Sequence, residues 1–456
     1  MILYILFLKM KKTIFLICLT LFLSSCSLFH QKISPYPNGV VFPLEKDKEI
    51  IYEGEIVDLI QREESFLYFS TTDGIIYKID GERSEIIWKF KSQKEAESPP
   101  SIGLENIYFY DKTSTLYCLN KEGKLCWKKT FEEKITSEIK EIGEIIFIGT
   151  EKGNFFALTT ASGKEIWRFK AGGAIRSNPI SSDNMIIFGC DDQYIYFLSK
   201  SGTLLNKYEA GGVVGSTLLV DGNLLYFGTE GHNFYCFDLK KWKEKWEVKS
   251  GGKIITSPVI DNKRLFFLSW SGVLYCLNKK NGSILWWKSI PYRSYYRFEI
   301  VQDKIVVSSL SSFLVCFDSE TGEKMGQFDA LLEVSSNPLW FYPFLLINVY
   351  EKNENMGKLL FLRKKVKLSL ILSKKSPQKT DEEIVFTASA KGLFREKYEF
   401  YLEKEGKKQI VQEMSEKKSW TWFPEKAGKY IIGCISVDER EKVEAKISFE
   451  IIEEEK

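Results

Sequence analysis

Residues 146–173, IFIGTEKGNFFALTTASGKEIWRFKAGG, contain the pattern that decides the fold. Two short apolar runs lie on either side of a turn that contains Gly153, and a second turn with Gly163 leads to Trp167. Alternating apolar residues rich in β-branched and aromatic types predict strands, and glycine permits turns with positive φ. The pattern recurs from about residue 50 to about residue 362, so the stretch is one unit of a repeat.

Three columns of equivalent residues keep the repeat in register. The first column has members 39 or 40 residues apart: Trp88, Trp127, Trp167, Asn206, Trp246, Trp286 and Gly326. The second lies ten or eleven residues earlier: Tyr77, Tyr117, Phe156, Tyr196, Tyr235, Tyr275 and Val315. The third lies four residues before the first: Gly123, Gly163, Gly202, Gly282 and Gly322. We expect the Trp rings to cover apolar surface between neighbouring units, and the ring to be looser where Asn206 and Gly326 replace Trp.

Each unit is predicted to form four short strands, which in the fourth unit cover residues 174–181, 185–190, 194–199 and 203–208. Four strands in each unit of about forty residues predict a β-propeller blade. An eighth unit has strands at 344–349 and 358–362 around an inserted loop, 350–357, and has no outer strand of its own. Residues 49–52 resemble residues 85–88, so the N-terminal strand is expected to complete the last blade and close the ring. The prediction is an all-β protein with an eight-bladed propeller over residues 46–362, with seven blades as the alternative.

The repeats LTTASGKEIW (158–167) and LNKKNGSILW (277–286) resemble the tryptophan-docking repeats of PQQ-type propellers. That family includes quinoprotein dehydrogenases and a lipoprotein subunit of the outer-membrane β-barrel assembly machinery. The dehydrogenases typically add an adjacent cysteine pair over the cofactor and acidic residues that hold Ca²⁺. This sequence has no Cys-Cys pair, and Asp191-Asp192 falls at an ordinary turn position. The sequence therefore predicts a protein that is not an enzyme and binds no cofactor or metal.

The N-terminus has the features of an export signal. Lys11-Lys12 precede an apolar run, 14–23, that is too short to span a bilayer comfortably. Leu-Ser-Ser-Cys at 23–26 resembles the bacterial lipobox, which implies acylation of Cys26 and a lipid anchor in the membrane. Residues 1–25 are then a lipoprotein signal peptide, with Met10 as an alternative start, and 26–45 a proline-containing tether. Ser27 favours the outer membrane, on its periplasmic face, if enterobacterial sorting rules apply.

After residue 362 the forty-residue period ends, and residues 366–456 show short predicted strands separated by glycines. These features predict an immunoglobulin-like (Ig-like) β-sandwich. Trp420-Thr421-Trp422-Phe423-Pro424 followed by Gly428-Lys429-Tyr430 resembles the ending of triple-tyrosine and related Ig-like modules, which are usually accessory domains for binding or dimerisation.

Composition narrows the function further. The net charge of +3 gives no reason to expect a nucleic-acid partner, and the two histidines, His30 and His232, make a His-rich metal site or a Ser-His-Asp triad improbable. Cys118, Cys236, Cys276 and Cys316 share one repeat position on different blades, so we expect small buried residues and not disulfides; Cys126 and Cys190 look similar.

Large residues in non-repeating loops indicate where a partner binds. The connections expected on one rim of the propeller carry His232, Trp270, Tyr292, Tyr295, Tyr296 and the loop 350–357. Exposed aromatic residues clustered on a rim suit a protein interface, although local packing within the loops explains them about as well. The leading hypothesis is a lipid-anchored envelope scaffold for a protein partner, in a role in outer-membrane protein assembly. The alternatives are a ligand- or glycan-binding surface sensor and, third, a quinoprotein dehydrogenase.

Overall fold

The structure is a computed structural model that describes residues 44–290, 298–309, 311–365, 367–391, 396–437 and 442–453. These residues form forty β-strands and no α-helix. Within the described ranges, no helix has the length and apolar character needed to cross a membrane. The predicted signal peptide and almost all of the predicted tether, with Cys26, lie outside the described residues.

Thirty-two of the strands form eight four-stranded antiparallel sheets, which we call blades 1 to 8 in chain order. Blade 1 consists of β2 (Gln61–Glu63), β3 (Phe66–Ser70), β4 (Ile75–Asp80) and β5 (Glu85–Lys91), and blade 2 of β6 (Ser101–Ile102), β7 (Asn106–Tyr110), β8 (Thr115–Asn120) and β9 (Leu125–Thr130). Blade 3 consists of β10 (Lys140–Ile142), β11 (Ile145–Gly149), β12 (Asn154–Thr159) and β13 (Glu165–Lys170), and blade 4 of β14 (Ile180–Ser182), β15 (Met185–Gly189), β16 (Tyr194–Ser199) and β17 (Leu204–Glu209). Blade 5 consists of β18 (Leu219–Asp221), β19 (Leu224–Gly228), β20 (Asn233–Asp238) and β21 (Lys243–Lys249). Blade 6 consists of β22 (Val259–Ile260), β23 (Arg264–Ser269), β24 (Val273–Asn278) and β25 (Ile284–Ser289). Blade 7 consists of β26 (Glu299–Val301), β27 (Lys304–Ser308), β28 (Phe313–Asp318) and β29 (Lys324–Asp329). Blade 8 combines β30 (Leu339–Phe341), β31 (Phe344–Glu351) and β32 (Met356–Lys364) with β1 (Leu44–Glu53).

The N-terminal strand β1 supplies the outer strand of blade 8, as the sequence predicts. Its Tyr52 ring lies directly on Gly357, where an added Cβ would come within 2.2 Å of the Tyr52 Cζ. The Asn355 side chain then joins blade 8 to blade 1 by donating a hydrogen bond to the Asp73 carboxylate (2.8 Å). The ring is thus closed by strand pairing and by contacts around the turn of one hairpin.

The predicted inserted loop at 350–357 is too long, because half of it is strand. β31 continues to Glu351 and β32 begins at Met356, with Tyr350 opposite Gly357 and Glu351 opposite Met356. Only the four residues 352–355 form the turn. The pairing of both strands extends because β1 is also long and covers the outer edge of the hairpin.

The first strand of blade 4 is shorter than predicted. In blade 4 it covers Ile180–Ser182 and not 174–181. The Ser177 side chain takes the place of strand pairing: its Oγ donates to the Gly189 carbonyl (2.9 Å) and accepts from the Gly189 amide (2.6 Å), and the residue is fully buried. Buried Ser or Thr recurs at this position in other blades, namely Ser98, Ser137, Ser216, Thr256 and Ser336. Because the serine hydroxyl makes the hydrogen bonds to the amide and the carbonyl of Gly189, the residues before Ser177 do not need to pair with β15. They form the loop into the centre of the ring instead.

The Trp residues lie against the glycine of the following blade. An added Cβ on Gly163 would lie 2.6 Å from the Trp127 ring, and Gly202 has the same relation to Trp167. Trp88, Trp246 and Trp286 pair in this way with Gly123, Gly282 and Gly322. The indole N–H of Trp127 also donates to the Thr160 carbonyl of blade 3 (2.8 Å). Each of these rings therefore contacts a turn that only glycine can form at that distance.

Blades 4 and 5 make this contact in reverse. Blade 4 has Asn206 in place of Trp, and blade 5 has Trp242, at φ +52°, in place of glycine. The Trp242 ring packs edge-on against Phe197 of blade 4, with ring centroids 5.1 Å apart. At the junction of blades 4 and 5, where the sequence predicts a looser ring, blade 5 thus supplies the tryptophan in place of blade 4.

An aspartate at the turn before the outer strand stabilises several blades. In blade 7, Asp318 Oδ1 accepts hydrogen bonds from the amides of Glu320 (3.0 Å) and Thr321 (2.9 Å), and Oδ2 accepts from Lys304 (3.1 Å). Burial by itself would raise the pKa of Asp318, but these hydrogen bonds and the Lys304 charge outweigh it and lower the pKa to about 2.

The C-terminal strands form a two-sheet sandwich. One sheet has the order β33 (Lys367–Leu372), β35 (Ile384–Lys391), β38 (Ser419–Trp422); the other has the order β34 (Gln378–Lys379), β40 (Lys442–Ile452), β39 (Gly428–Val437), β36 (Lys397–Lys404), β37 (Lys407–Ser415). Residues of both sheets, including Phe386, Phe400, Trp422 and Phe449, form one core. The two-residue strand β34, which pairs parallel to β40, is too short for a sequence pattern to indicate. The assignment to the Ig-like class stays a prediction.

The described cysteines are unpaired, and six of the seven are buried. Cys126 is the exception: the sequence groups it with the buried thiols, but the structure places it exposed on the outer strand of blade 2. The outer strand has no neighbour on its far side, so the alternation of apolar residues along it does not imply burial.

Candidate functional site on the upper rim

We define the upper rim by two kinds of connection: the turn between the second and third strands of each blade, and the loop from each blade to the next. A residue in or just before this turn, which we call the turn residue, donates its backbone amide to a carbonyl of the loop. Lys112 donates to Glu95 (2.9 Å), Trp270 to Lys253 (2.8 Å) and Tyr350, near the end of β31, to Glu333 (3.4 Å). The same backbone geometry therefore presents one side chain per blade at equivalent places around the ring.

The chemical character of these turn residues changes around the ring. From blade 1 to blade 8 they are Thr72, Lys112, Glu151, Asp191, Glu230, Trp270, Leu310 and Tyr350, of which Leu310 lies outside the described residues. Blades 2 to 5 carry charged residues, and blades 6 to 8 carry only large apolar or aromatic ones. We call the part of the upper rim formed by blades 6 to 8 the apolar sector. Its described members are the turn residues Trp270 and Tyr350, together with Leu331 in the loop from blade 7 to blade 8.

Leu331, which the sequence reasoning missed, is the most exposed large hydrophobic residue among those that the structure describes. It lies in the loop from blade 7 to blade 8, its side chain is 84% exposed and its φ is +64°. The equivalent residue after blade 4 is Gly211, at φ +63°. A leucine in this backbone conformation costs about 1–2 kcal/mol, and full exposure provides no burial energy to offset it. Blades 3 to 5 have glycine at this position and blades 1 and 2 have Gln93 and Glu132, so only the apolar residue type at position 331 could have indicated it from sequence.

Charged residues in the rest of the rim are used in ion pairs. Glu95 pairs with Lys112 (2.5 Å), Glu97 with Lys134 (2.9 Å), and Arg176 with Asp191 (2.8 Å). At the boundary between blades 8 and 1, burial raises the pKa of Glu55; Lys352 opposes the shift and Glu333 adds to it. Exposed ion pairs of this kind contribute little to stability. Their charged side chains make the rim over blades 2 to 4 polar and hydrated.

The rim residues predicted from sequence have different surroundings. His232 is exposed at φ +71° in the turn of blade 5, where blade 3 has Gly153 and blade 6 has Gly272. Its carbonyl accepts the Ser250 amide (2.8 Å), so its backbone supports the following loop. Trp270, in the turn of blade 6, is partly buried. Tyr292, Tyr295 and Tyr296 lie outside the described residues.

A polar cavity of about 290 Å³ lies at the centre of the ring, where the loops enter from the rim. Its lining includes Glu97, Glu138, Arg176, Asn178 and Thr217, contributed by different blades. Glu97 and Arg176 are held by the ion pairs named above, and the Asn178 side chain donates to Thr217 (3.0 Å). Among the described residues, no group of three or more His, Cys, Asp or Glu side chains is placed to hold a metal ion.

Comparison with known proteins agrees with this architecture. Residues 112–328, just under half of the chain, match the family model described as outer membrane protein assembly factor BamB. The crystal structure of BamB from Moraxella catarrhalis has a similar fold, with a TM-score of 0.62 and 15% identity over 71% of this chain and 98% of that one. The computationally designed protein Ika8 is also similar, with a TM-score of 0.58 and 12% identity over 68% of this chain and 97% of that one. A search of curated proteins finds no match. The repeat columns and the ring of four-stranded blades thus show that residues 44–364 have the fold of a PQQ-like β-propeller, and residues 112–328 of it match the BamB family model.

Proposed function

We propose that this protein is a non-catalytic scaffold of the cell envelope that binds a protein partner through the apolar sector of its upper rim. The observation that carries the proposal is Leu331, an exposed apolar side chain held at positive φ, on the same sector as Trp270 and Tyr350. The strained backbone lowers stability and the exposed side chain gains no burial energy to offset it, whereas burial of that side chain against a partner would offset the strain.

The family match supports outer-membrane protein assembly as the process. The partner is then a component of the assembly complex, and the Leu331 side chain becomes buried when it binds. The lipid anchor at Cys26 keeps the propeller beside the membrane, and the C-terminal sandwich extends the surface available to partners.

The experiment is affinity purification of the tagged full chain from detergent-solubilised envelope. We expect barrel-assembly proteins to co-purify with the natural chain, and Leu331→Ser combined with Trp270→Ala to reduce their recovery at least tenfold. Exposed positions at the centre of an interface account for most of its binding energy, so two substitutions suffice.

The matched control is Lys112→Ala combined with Glu151→Ala, which changes two turn residues in the charged part of the same rim. Recovery should stay close to that of the natural chain in this control. Equal recovery from both double variants would rule out the apolar sector as the contact, and absence of assembly proteins from the natural chain would rule out the assembly role.

A further inference from the structure

Blade 2 contains two cysteines at positions that meet within the blade. Cys118 belongs to a column on the third strand in which blades 5, 6 and 7 also have cysteine. Cys126 precedes the Trp position on the outer strand, where the other blades have Ile87, Ile166, Leu205, Lys245, Leu285 and Met325. Only blade 2 of these seven has cysteine in both places.

A β-bulge brings the two residues together. Cys118 lies opposite Trp127 and Leu119 opposite Leu125, so Cys126 is the additional residue on β9 at this point. In such a bulge two residues of one strand face a single residue of the other. Cys126 and Trp127 therefore both face Cys118.

The side-chain environment agrees with this register. Cys126 Sγ lies 3.9 Å from Asn106 Oδ1, and Asn106 is two residues from Tyr108, the residue opposite Cys118 on β7. Cys118 is fully buried and Cys126 is exposed. Burial raises the pKa of the Cys118 thiol to about 12, and the nearby Cys126 thiol raises it further.

We propose that Cys118 and Cys126 form a disulfide within blade 2 when the protein meets a disulfide oxidant, as proteins do in oxidising compartments. The exposed Cys126 loses its proton and attacks one sulfur of the oxidant RSSR, which releases one RS⁻ and leaves a mixed disulfide on Cys126. Cys118 then loses its proton and attacks the Cys126 sulfur, releasing the second RS⁻. The protein loses two protons and two electrons, and RSSR takes them up to become two RSH. The bond ties the outer strand of blade 2 to its neighbour, and it is independent of the proposed rim function.

Peptide mapping tests the bond directly. The full chain is incubated with oxidised glutathione, remaining thiols are alkylated, and trypsin then releases residues 113–121 and 125–128 as separate peptides. We expect these two peptides as one species joined by a disulfide, lighter by two hydrogens than the sum of the reduced peptides. Reduction before digestion should separate them.

Variants and an internal control separate a disulfide from other products. Cys118→Ala should leave glutathione on Cys126, whereas Cys126→Ser should leave Cys118 free and unmodified because it is buried. Cys236 and Cys276, which share the Cys118 column but face Lys245 and Leu285 in place of a cysteine, should stay reduced in the same digest. Recovery of residues 113–121 with Cys118 alkylated, or of residues 125–128 carrying only glutathione, would overturn the proposal.

Discussion

The contact between Gly163 and Trp127 allows the tightest test of how blades join. Gly163→Ala places a Cβ 2.6 Å from the Trp127 ring, at φ +65°. Gly143, in the same blade, has φ +63° and nothing within 4 Å of an added Cβ. The two glycines thus require the same backbone conformation and differ in what the new methyl group meets.

Gly143→Ala is expected to lower the free energy of unfolding by about 1–2 kcal/mol, the cost of a left-handed conformation for a residue with a Cβ. Gly163→Ala adds the displacement of a packed indole ring, about 1–3 kcal/mol, for a total of about 2–5 kcal/mol. The difference between the variants therefore measures the blade contact itself.

Urea unfolding of the full chain, followed by circular dichroism and by tryptophan fluorescence, gives both values if the dependence on urea is unchanged. Trp127→Phe in each background supplies the control, because a smaller ring leaves room for the methyl group and should reduce the difference. Equal destabilisation by Gly143→Ala and Gly163→Ala would refute the claim that the Trp ring and the glycine turn are closely packed.

Three further outcomes follow from the blade geometry. Trp242→Gly should lower the free energy of unfolding by about 2 kcal/mol. Adding Asn206→Trp should restore it, because the double variant has the Trp and glycine arrangement of the other blades. Urea titrations in which the double variant shows no recovery would contradict the reversed contact. Ser177→Ala should cost about 2–4 kcal/mol, because the Gly189 amide and carbonyl both lose their partner in a buried site, and Ser177→Thr, which keeps the hydroxyl, should cost less in the same assay. For Asp318, the folded pKa of about 2 lies below the unfolded value, so its contribution is complete above about pH 4 and is lost as the pH falls toward 2. Asp318→Asn should therefore be less stable than the natural chain at pH 5 and approach it at pH 2.5 in acid titrations of unfolding, and a constant difference would contradict the assigned pKa.

Much of the ring follows from the local sequence pattern. The period of about forty residues, with Trp, aromatic and Gly columns, predicts four strands per blade because strand alternation and turn glycines are local properties. The resemblance of residues 49–52 to residues 85–88 predicts β1 as the outer strand of blade 8, and the structure confirms this pairing. The short inner strands were not predictable, because Ser177 replaces backbone pairing through a residue twelve positions away.

The candidate site was predictable only in part, for a physical reason. A column that departs from its usual residue type is visible in the sequence, so Trp270 stands out among charged turn residues. The exposure of Leu331 depends on which neighbours cover it, and the backbone φ depends on the loop as a whole; neither is a local property.

Sequence by itself thus determined the repeat, the strand content and the closing strand, since each depends on residues within one unit or on likeness between units. Tertiary structure alone decided which residues meet across units: Trp242 against Phe197, Asn355 against Asp73, and Trp127 against Gly163. Such contacts join residues 35 or more positions apart, and their distances are fixed by the packing of whole blades around the ring. The position of Leu331 at the rim has the same origin, because exposure is a property of the assembled ring and not of its loop sequence.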